Sequence, residues 1–237
     1  MDPVIFTPRL KLTLITSAER GSKELEWLHE LRSDEKAMFW SIYPRSTSIS
    51  DTEKAIKAYL PTRSDSPEKS YRIVYAVHVL LDPKDAPSCV SASIPPEPHS
   101  QPATPTRFIG LTTLVSVGAN GLSLPQELTL PAVVAATTLT VELAYSFLPQ
   151  SWNKGYATEA ISAVFDACKR VPSFWMPWEK VYVRAIVNAE NPASLRVMEK
   201  SEMAMRGIYE WTGKAIFVAG QWKERDTLHI FGGYLMD

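Results

Sequence analysis

Between Leu139 and Asn188 the chain reads strand, helix, strand, and this run constrains the fold more than any other. Val141, Leu143, Tyr145 and Phe147 alternate with Glu142, Ala144 and Ser146, so Leu139–Leu148 has one core face and one more polar face. Tyr156–Lys169 sets Ala160, Ile161, Val164, Phe165 and Cys168 in one stripe at helical spacing. Lys180–Asn188 is strand-like again. Two strands joined through a helix are expected to lie parallel in one sheet. At the first junction, small residues at Gly155 and Ala157 stand where the helix begins. The first N–H groups of a helix have no partner inside it, and with the helix dipole they attract an anion. Small residues let a phosphate approach the backbone. The junction is expected to hold a phosphate or pyrophosphate, with an ordinary helix start as the plainer alternative.

Two common phosphate motifs are absent: the triphosphatase loop G-x-x-x-x-G-K-[ST] and a G-x-G-x-x-G after a strand. What stands there, Asn153-Lys154-Gly155-Tyr156-Ala157-Thr158-Glu159-Ala160, resembles the pyrophosphate loop of the GNAT superfamily of acetyl-CoA-dependent N-acetyltransferases, Gln/Arg-x-x-Gly-x-Gly/Ala. Trp152 takes the place of the Gln or Arg, as in one branch of that family. A second segment supports the likeness. Asn191 is a good helix N-cap, and Pro192 suits the first helical position. Asn191-Pro192-Ala193-Ser194 before an apolar, Arg-containing helix is similar to the branch that acetylates ribosomal-protein amino termini. That branch usually ends the helix Lys-Leu-Gly-Phe, whereas this chain has Lys200-Ser201-Glu202-Met203. The resemblance is strong over Leu139–Met203 and weaker at Pro8–Leu12 and Asp226–Tyr234.

The resemblance implies an α/β (α+β) fold. Its mixed, mostly antiparallel sheet has about seven strands flanked by about four helices, and two central parallel strands splay apart. It implies acetyl-CoA as cosubstrate, held by Trp152, Asn153, Lys154, Gly155, Tyr156 and Ala157, with Asn191 and Ser194 on the next helix. Backbone groups around Tyr145, Phe147 and Leu148 would pair with the pantetheine arm. A plain cap at Asn191 and a solvated Lys154 are the simpler alternatives.

The rest of the chain suits one domain, residues 1–237. Leu10, Leu12 and Leu14 alternate in a first strand over Arg9–Ile15. Leu25, Leu28 and Leu31 fall at helical spacing, and Ser50 with Glu53 forms a capping box before a helix reaching about Leu60. Tyr71–Leu81 and Arg107–Val117 read as strands. Between them, Asp82–Pro105 holds seven of the 18 prolines and little to bury, so it is expected to be an exposed insertion. Gly118–Ala136 is a connection of unassigned shape. Met203–Thr212 and Asp226–Leu235 read as a closing antiparallel pair. Tyr209 and Tyr234 are expected in the core, and Trp175 and Trp178 either line an acceptor site or pack under the helix.

Formal charge is −1, which excludes a sequence-wide basic field for nucleic acid or membrane. No apolar run approaches the roughly 20 residues of a membrane span. Cys89 and Cys168 form no disulfide or metal pattern, and His29, His78, His99 and His229 lack metal-ligand spacing. A reducing, cytoplasmic setting, no metal, and a monomer or homodimer are the expectations.

An amine acceptor arrives protonated, and a base must take its proton. Glu142, on the polar face of the central strand, is the candidate; a structural ion pair with a neighbouring strand's Arg or Lys is the alternative. Many family members carry a Tyr seven residues after the Asn to protonate the leaving thiolate, where this chain has Met198. Ser194 is the remaining candidate for hydrogen bonding to the sulfur, or else a first-turn helix serine. The expected function is N-acetyl transfer to a primary amine, a protein amino terminus or a small molecule. Met198 and Glu202 motivate the alternative of an inactive CoA-binding module.

Overall fold

Runs rich in apolar residues build strands that join in one sheet, and helices bury their apolar stripes on both sheet faces. The computed structural model describes residues 1–58, 60–61, 71–82, 104–118, 121–201 and 203–237. The bulk of the 82–105 insertion, with Cys89 and His99, and the helix-ending Glu202 lie outside the described residues.

The first half runs β1 (Val4–Phe6), β2 (Leu10–Leu14), α1 (Lys23–Ser33), α2 (Ile49–Ile56), β3 (Arg72–Leu80) and β4 (Thr106–Ser116). The second half runs α3 (Ala132–Ala135), β5 (Thr138–Phe147), α4 (Tyr156–Lys169), β6 (Lys180–Asn188), α5 (Pro192–Lys200), β7 (Ala204–Val218) and β8 (Gln221–Met236). One sheet takes the order β1-β2-β3-β4-β5-β6-β8-β7. Every pairing is antiparallel except β5 with β6.

Odd-numbered residues of β5 and β6, such as Val141, Leu143, Val181 and Val183, bury against Ile161, Val164 and Phe165 of α4 and Met198 of α5. On the other face, Leu25, Leu28 and Leu31 of α1 and Ile56 of α2 pack on Val74, Ala76 and Phe108. Truncating a fully buried member such as Leu28 or Ile161 to Ala should cost about 2–5 kcal/mol.

The mixed sheet is the expected one, with eight strands where about seven were expected and five helices where about four were. Val4–Phe6 supplies the extra strand; three residues are too few to show a period. The closing hairpin is longer than its apolar pattern, because β7 carries alternating polar residues on an exposed edge. Tyr234 is 40 % exposed and Tyr209 half-buried, so neither is a core residue. The capping box belongs to Ser48 and Asp51. Ser48 accepts from the Asp51 N–H, and the Asp51 carboxylate accepts from the Ser48 N–H and both donors of Thr47. These bonds, the Thr47 hydroxyl's first, hold the Asp51 carboxyl down at about 2. Glu53 instead pairs with Arg20.

Trp175 is fully buried; its indole N–H donates to the Cys168 carbonyl and its ring stacks on Tyr71. Of the histidines, His29 shares a hydrogen bond with Thr52 Oγ1 at 2.8 Å. His78, on β3, is 4 % exposed between Trp27 and Phe108, and neither ring nitrogen has a hydrogen-bond partner. Burial lowers its pKa to about 4, outweighing the smaller opposing pull of the neighbouring backbone at Lys11 and Ala76.

Above pH 6.5 His78 is neutral whether the chain is folded or unfolded. As pH falls from 6.5 towards 4, the unfolded chain takes up a proton that the folded chain refuses, so stability drops. At about 1.4 kcal/mol per pKa unit the loss is at most about 3 kcal/mol. Urea denaturation at pH 7.5 and pH 4.5 should show it, and His78→Phe should remove that part of the decline. Parallel pH profiles for wild type and variant would contradict the assignment.

Candidate active site

The parallel pairing of β5 and β6 runs from Thr138↔Lys180 to Glu142↔Arg184 and stops there. Beyond it, β5 continues against β4 as far as Phe147, while β6 continues against β8 as far as Asn188. The two strands part, and the β6-facing edge of Leu143–Phe147 has no strand beside it. Leu148 N–H bonds across to Ile109 on the β4 side, and the Ala144 carbonyl accepts from Thr113 on that side. Backbone groups alternate sides along a strand, so those of Leu143, Tyr145 and Phe147 face the opening. One of them is taken: the Trp152 indole N–H donates to the Phe147 carbonyl at 2.6 Å. Leu148 is buried and lies on the closed side.

At the end of β5 the chain makes a turn of 3₁₀ helix, Pro149–Ser151, pinned by Ser151 Oγ donating to the Leu148 carbonyl. Trp152, Asn153, Lys154 and Gly155 are exposed, and Tyr156 and Ala157 half-buried. Asn153 (φ 60°) and Gly155 (φ 78°) both adopt left-handed backbone. Gly155 is the N-cap of α4, and no side chain caps that helix. Its first-turn N–H groups are therefore left for solvent or a ligand. This arrangement suits a bound pyrophosphate: an exposed loop, a glycine at positive φ and an uncapped helix start beside the free strand edge.

Arg9, just before β2, was not foreseen here. Its guanidinium bonds Glu159 of the first turn of α4 through Nε at 2.7 Å and donates to the Lys154 carbonyl at 2.8 Å. It also lies over the Tyr156 ring, 4.9 Å from the centroid. Thr7 Oγ1 adds a bond to the other Glu159 oxygen. Glu159 is thereby engaged from the amino-terminal segment rather than capping its own helix. The signal was present as Arg9 and Glu159, but nothing in the sequence couples residues 150 positions apart.

Asn191 caps α5 by accepting from the Ser194 N–H at 3.1 Å. The Tyr145 phenol reaches the Ser194 carbonyl at 3.4 Å, so the parted end of β5 and the first turn of α5 meet. Burial pushes the Tyr145 phenol up to about 12, which keeps it protonated at working pH. Met198 is fully buried in the core and offers nothing to a leaving group.

Glu142 projects from the opposite face of β5, the face on which Ser146 Oγ donates to the Ala37 carbonyl in the α1–α2 connection. Arg184, its neighbour on β6, donates from Nε to Glu142 Oε2 at 2.9 Å. Nη2 is also 2.9 Å from that oxygen but is not aligned for a hydrogen bond, so the contact is ionic only. The Arg184 side chain is 9 % exposed and that of Glu142 41 %. The ion pair allowed for as the alternative is thus formed. It occupies one carboxylate oxygen and leaves the residue half open to solvent. Glu142 on one face and the Tyr145–Ser194 contact on the other flank the place where the strands separate.

Among the described residues no helix is long and apolar enough to cross a membrane. A family model for the acetyltransferase (GNAT) domain matches residues 9–204. Among solved structures, spermidine N-acetyltransferase from Vibrio cholerae, in complex with CoA and spermine, is 16 % identical. That match covers 94 % of this chain and 95 % of the other, with a TM-score of 0.53. A GNAT-family acetyltransferase from Bacillus anthracis is 18 % identical over 98 % of both chains, with a TM-score of 0.52. Nothing among curated proteins matches the chain. The family match spans the parted strands, the loop before α4 and the Asn191 cap alike, and on it the chain belongs to the GNAT acetyltransferases, enzymes that use acetyl-CoA as cosubstrate.

Proposed function

We propose that this protein transfers the acetyl group of acetyl-CoA to a primary amine, with the two substrates meeting where β5 and β6 part. The observation that carries the reading is the coincidence, within one continuous run, of an unpaired strand edge at Leu143–Phe147 and an uncapped, glycine-led helix start at Gly155. The exposed Trp152–Gly155 loop and the first turn at Tyr156 and Ala157 bind the pyrophosphate. The free backbone groups of Tyr145 and Phe147 pair with the pantetheine, and an N–H among them polarises the thioester carbonyl. Asn191 holds the start of α5 in place, and the Ser194 hydroxyl hydrogen-bonds the departing sulfur.

Glu142 takes the amine's proton, directly or through a water. Arg184 positions it by holding Oε2, which leaves Oε1 for the proton. The amine nitrogen then bonds to the acetyl carbon as the carbon–sulfur bond breaks, and the thiolate leaves to be protonated. The acceptor is a primary amine; protein amino termini and polyamines such as the spermine bound by the Vibrio cholerae enzyme both belong to that class.

Two variants test separate halves of the reading. Gly155→Val places a β-branched residue at φ 78° on the phosphate side of the loop. The acetyl-CoA dissociation constant should rise at least tenfold while the chain stays folded; unchanged affinity in a folded variant would remove the loop from the site. Glu142→Gln keeps shape and hydrogen bonding but cannot accept a proton. Turnover should fall by about 10²–10⁴ with acetyl-CoA affinity nearly intact, and raising pH should recover part of the loss. Wild-type turnover at every pH would assign Glu142 to the ion pair with Arg184 alone.

A further inference from the structure

The segment 121–137, ahead of β5, lies across the Glu142 face of the sheet. It is tied down where Arg184 Nη1 donates to the Leu122 carbonyl at 3.2 Å, and where Leu128 lies close over Gly207 of β7. Beneath it is a cavity of about 340 Å³. Leu124, Leu128 and Leu130 form its outer wall, and Thr138, Thr140 and Arg184 belong to its floor. Trp178 closes one side.

Thr138, Thr140 and Glu142 alternate along one face of β5. Arg184 brings the floor up to Glu142, and at about 3.3 Å per residue the β5 part of it lies from about 7 Å to about 13 Å away. The reach and volume fit the body of a small amine whose nitrogen stands at Glu142, and cavities of this size commonly hold small ligands. The charge of the lining decides what kind of body it is. Arg184 supplies the one charged side chain of the lining, and its partner Glu142 already faces it. Among the described residues no carboxylate lines the cavity to receive a second ammonium group, and burying an unpaired cation there would be costly.

We propose that this cavity selects the acceptor: a primary monoamine with an uncharged, apolar body, in preference to a polyamine. The proposal rests on the acetyl-transfer reading above and narrows its substrate class. Leu124, Leu128, Leu130 and Trp178 grip the body, while Arg184 both positions Glu142 and excludes further positive charge.

Thiol release should be compared for 2-phenylethylamine and spermidine as acceptors at saturating acetyl-CoA. Calorimetric titration of each amine into the CoA-saturated protein should accompany it. Wild type should show kcat/KM for 2-phenylethylamine at least tenfold above that for spermidine. Leu130→Trp and Leu124→Trp, which fill the cavity from two positions, should each raise the KM for 2-phenylethylamine at least tenfold. Acetyl-CoA affinity should stay within twofold, and that constancy also reports that each variant is folded. Equal or better use of spermidine by wild type, a comparison that needs no variant, would overturn the proposal. So would unchanged KM and affinity for 2-phenylethylamine in folded Trp variants, with acetyl transfer itself intact. If no amine is turned over but 2-phenylethylamine binds and the Trp variants abolish binding, the acetyl-transfer reading fails and the pocket stands.

Discussion

The rest of the site depends on the last rung of the parallel pairing between β5 and β6, Glu142↔Arg184. Up to that rung each strand satisfies the other. Beyond it each keeps its antiparallel neighbour on the far side, so parting leaves one edge of each open while the sheet as a whole survives. An open edge inside a fold exposes polar backbone groups that need partners, from protein, water or ligand. In β5 the Trp152 indole satisfies one such group, the Phe147 carbonyl, and the others face the opening. The rung also places an ion pair on the other face, because the side chains of the same two residues meet there.

Placement of the loop before α4 follows from the same strand. β5 ends at Phe147, the 3₁₀ turn reverses the chain, and Gly155 at positive φ starts α4 without a side-chain cap. A Ser or Asp at that position would cap the helix from within and compete with a ligand for its N–H groups. Arg9 and Thr7 hold Glu159 off those groups and tie the amino-terminal strands to the loop. The start of α4 is thus held from two directions: by its own strand and by a segment about 150 positions earlier in the chain. Both faces of the parted end of β5 are similarly braced by its own side chains donating to backbone carbonyls of distant segments, Tyr145 to Ser194 and Ser146 to Ala37.

Local features were legible and long-range couplings were not. α4 and β6 begin and end where periodicity puts them, because the apolar stripe of one and the near-continuous apolar run of the other are set by burial. The glycine-led helix start and the Asn191 cap were readable because each is set by residue types within a few positions of one another. The capping box of α2 was misplaced by two residues: Ser50 with Glu53 and Ser48 with Asp51 are both plausible pairs, and Arg20 draws Glu53 away. Tyr234 was expected in the core from its strand setting but lies on the exposed part of the long hairpin. Arg184 reads in the sequence as one polar residue in an apolar strand. Only the parallel register brings it to Glu142, and only the 122–130 segment turns it into the floor of a cavity.

The most direct test of the account is amide hydrogen exchange with and without CoA, read residue by residue. The account predicts new protection in two places at once: at the β5 amides of Tyr145 and Phe147, and at the first-turn amides of α4 from Tyr156 to Thr158. Amides of β2 and β3, which pair within the sheet on the far side, should exchange as before. Protection confined to one of the two places, or none at saturating CoA, would contradict the claim that the parted strand and the uncapped helix form a single site.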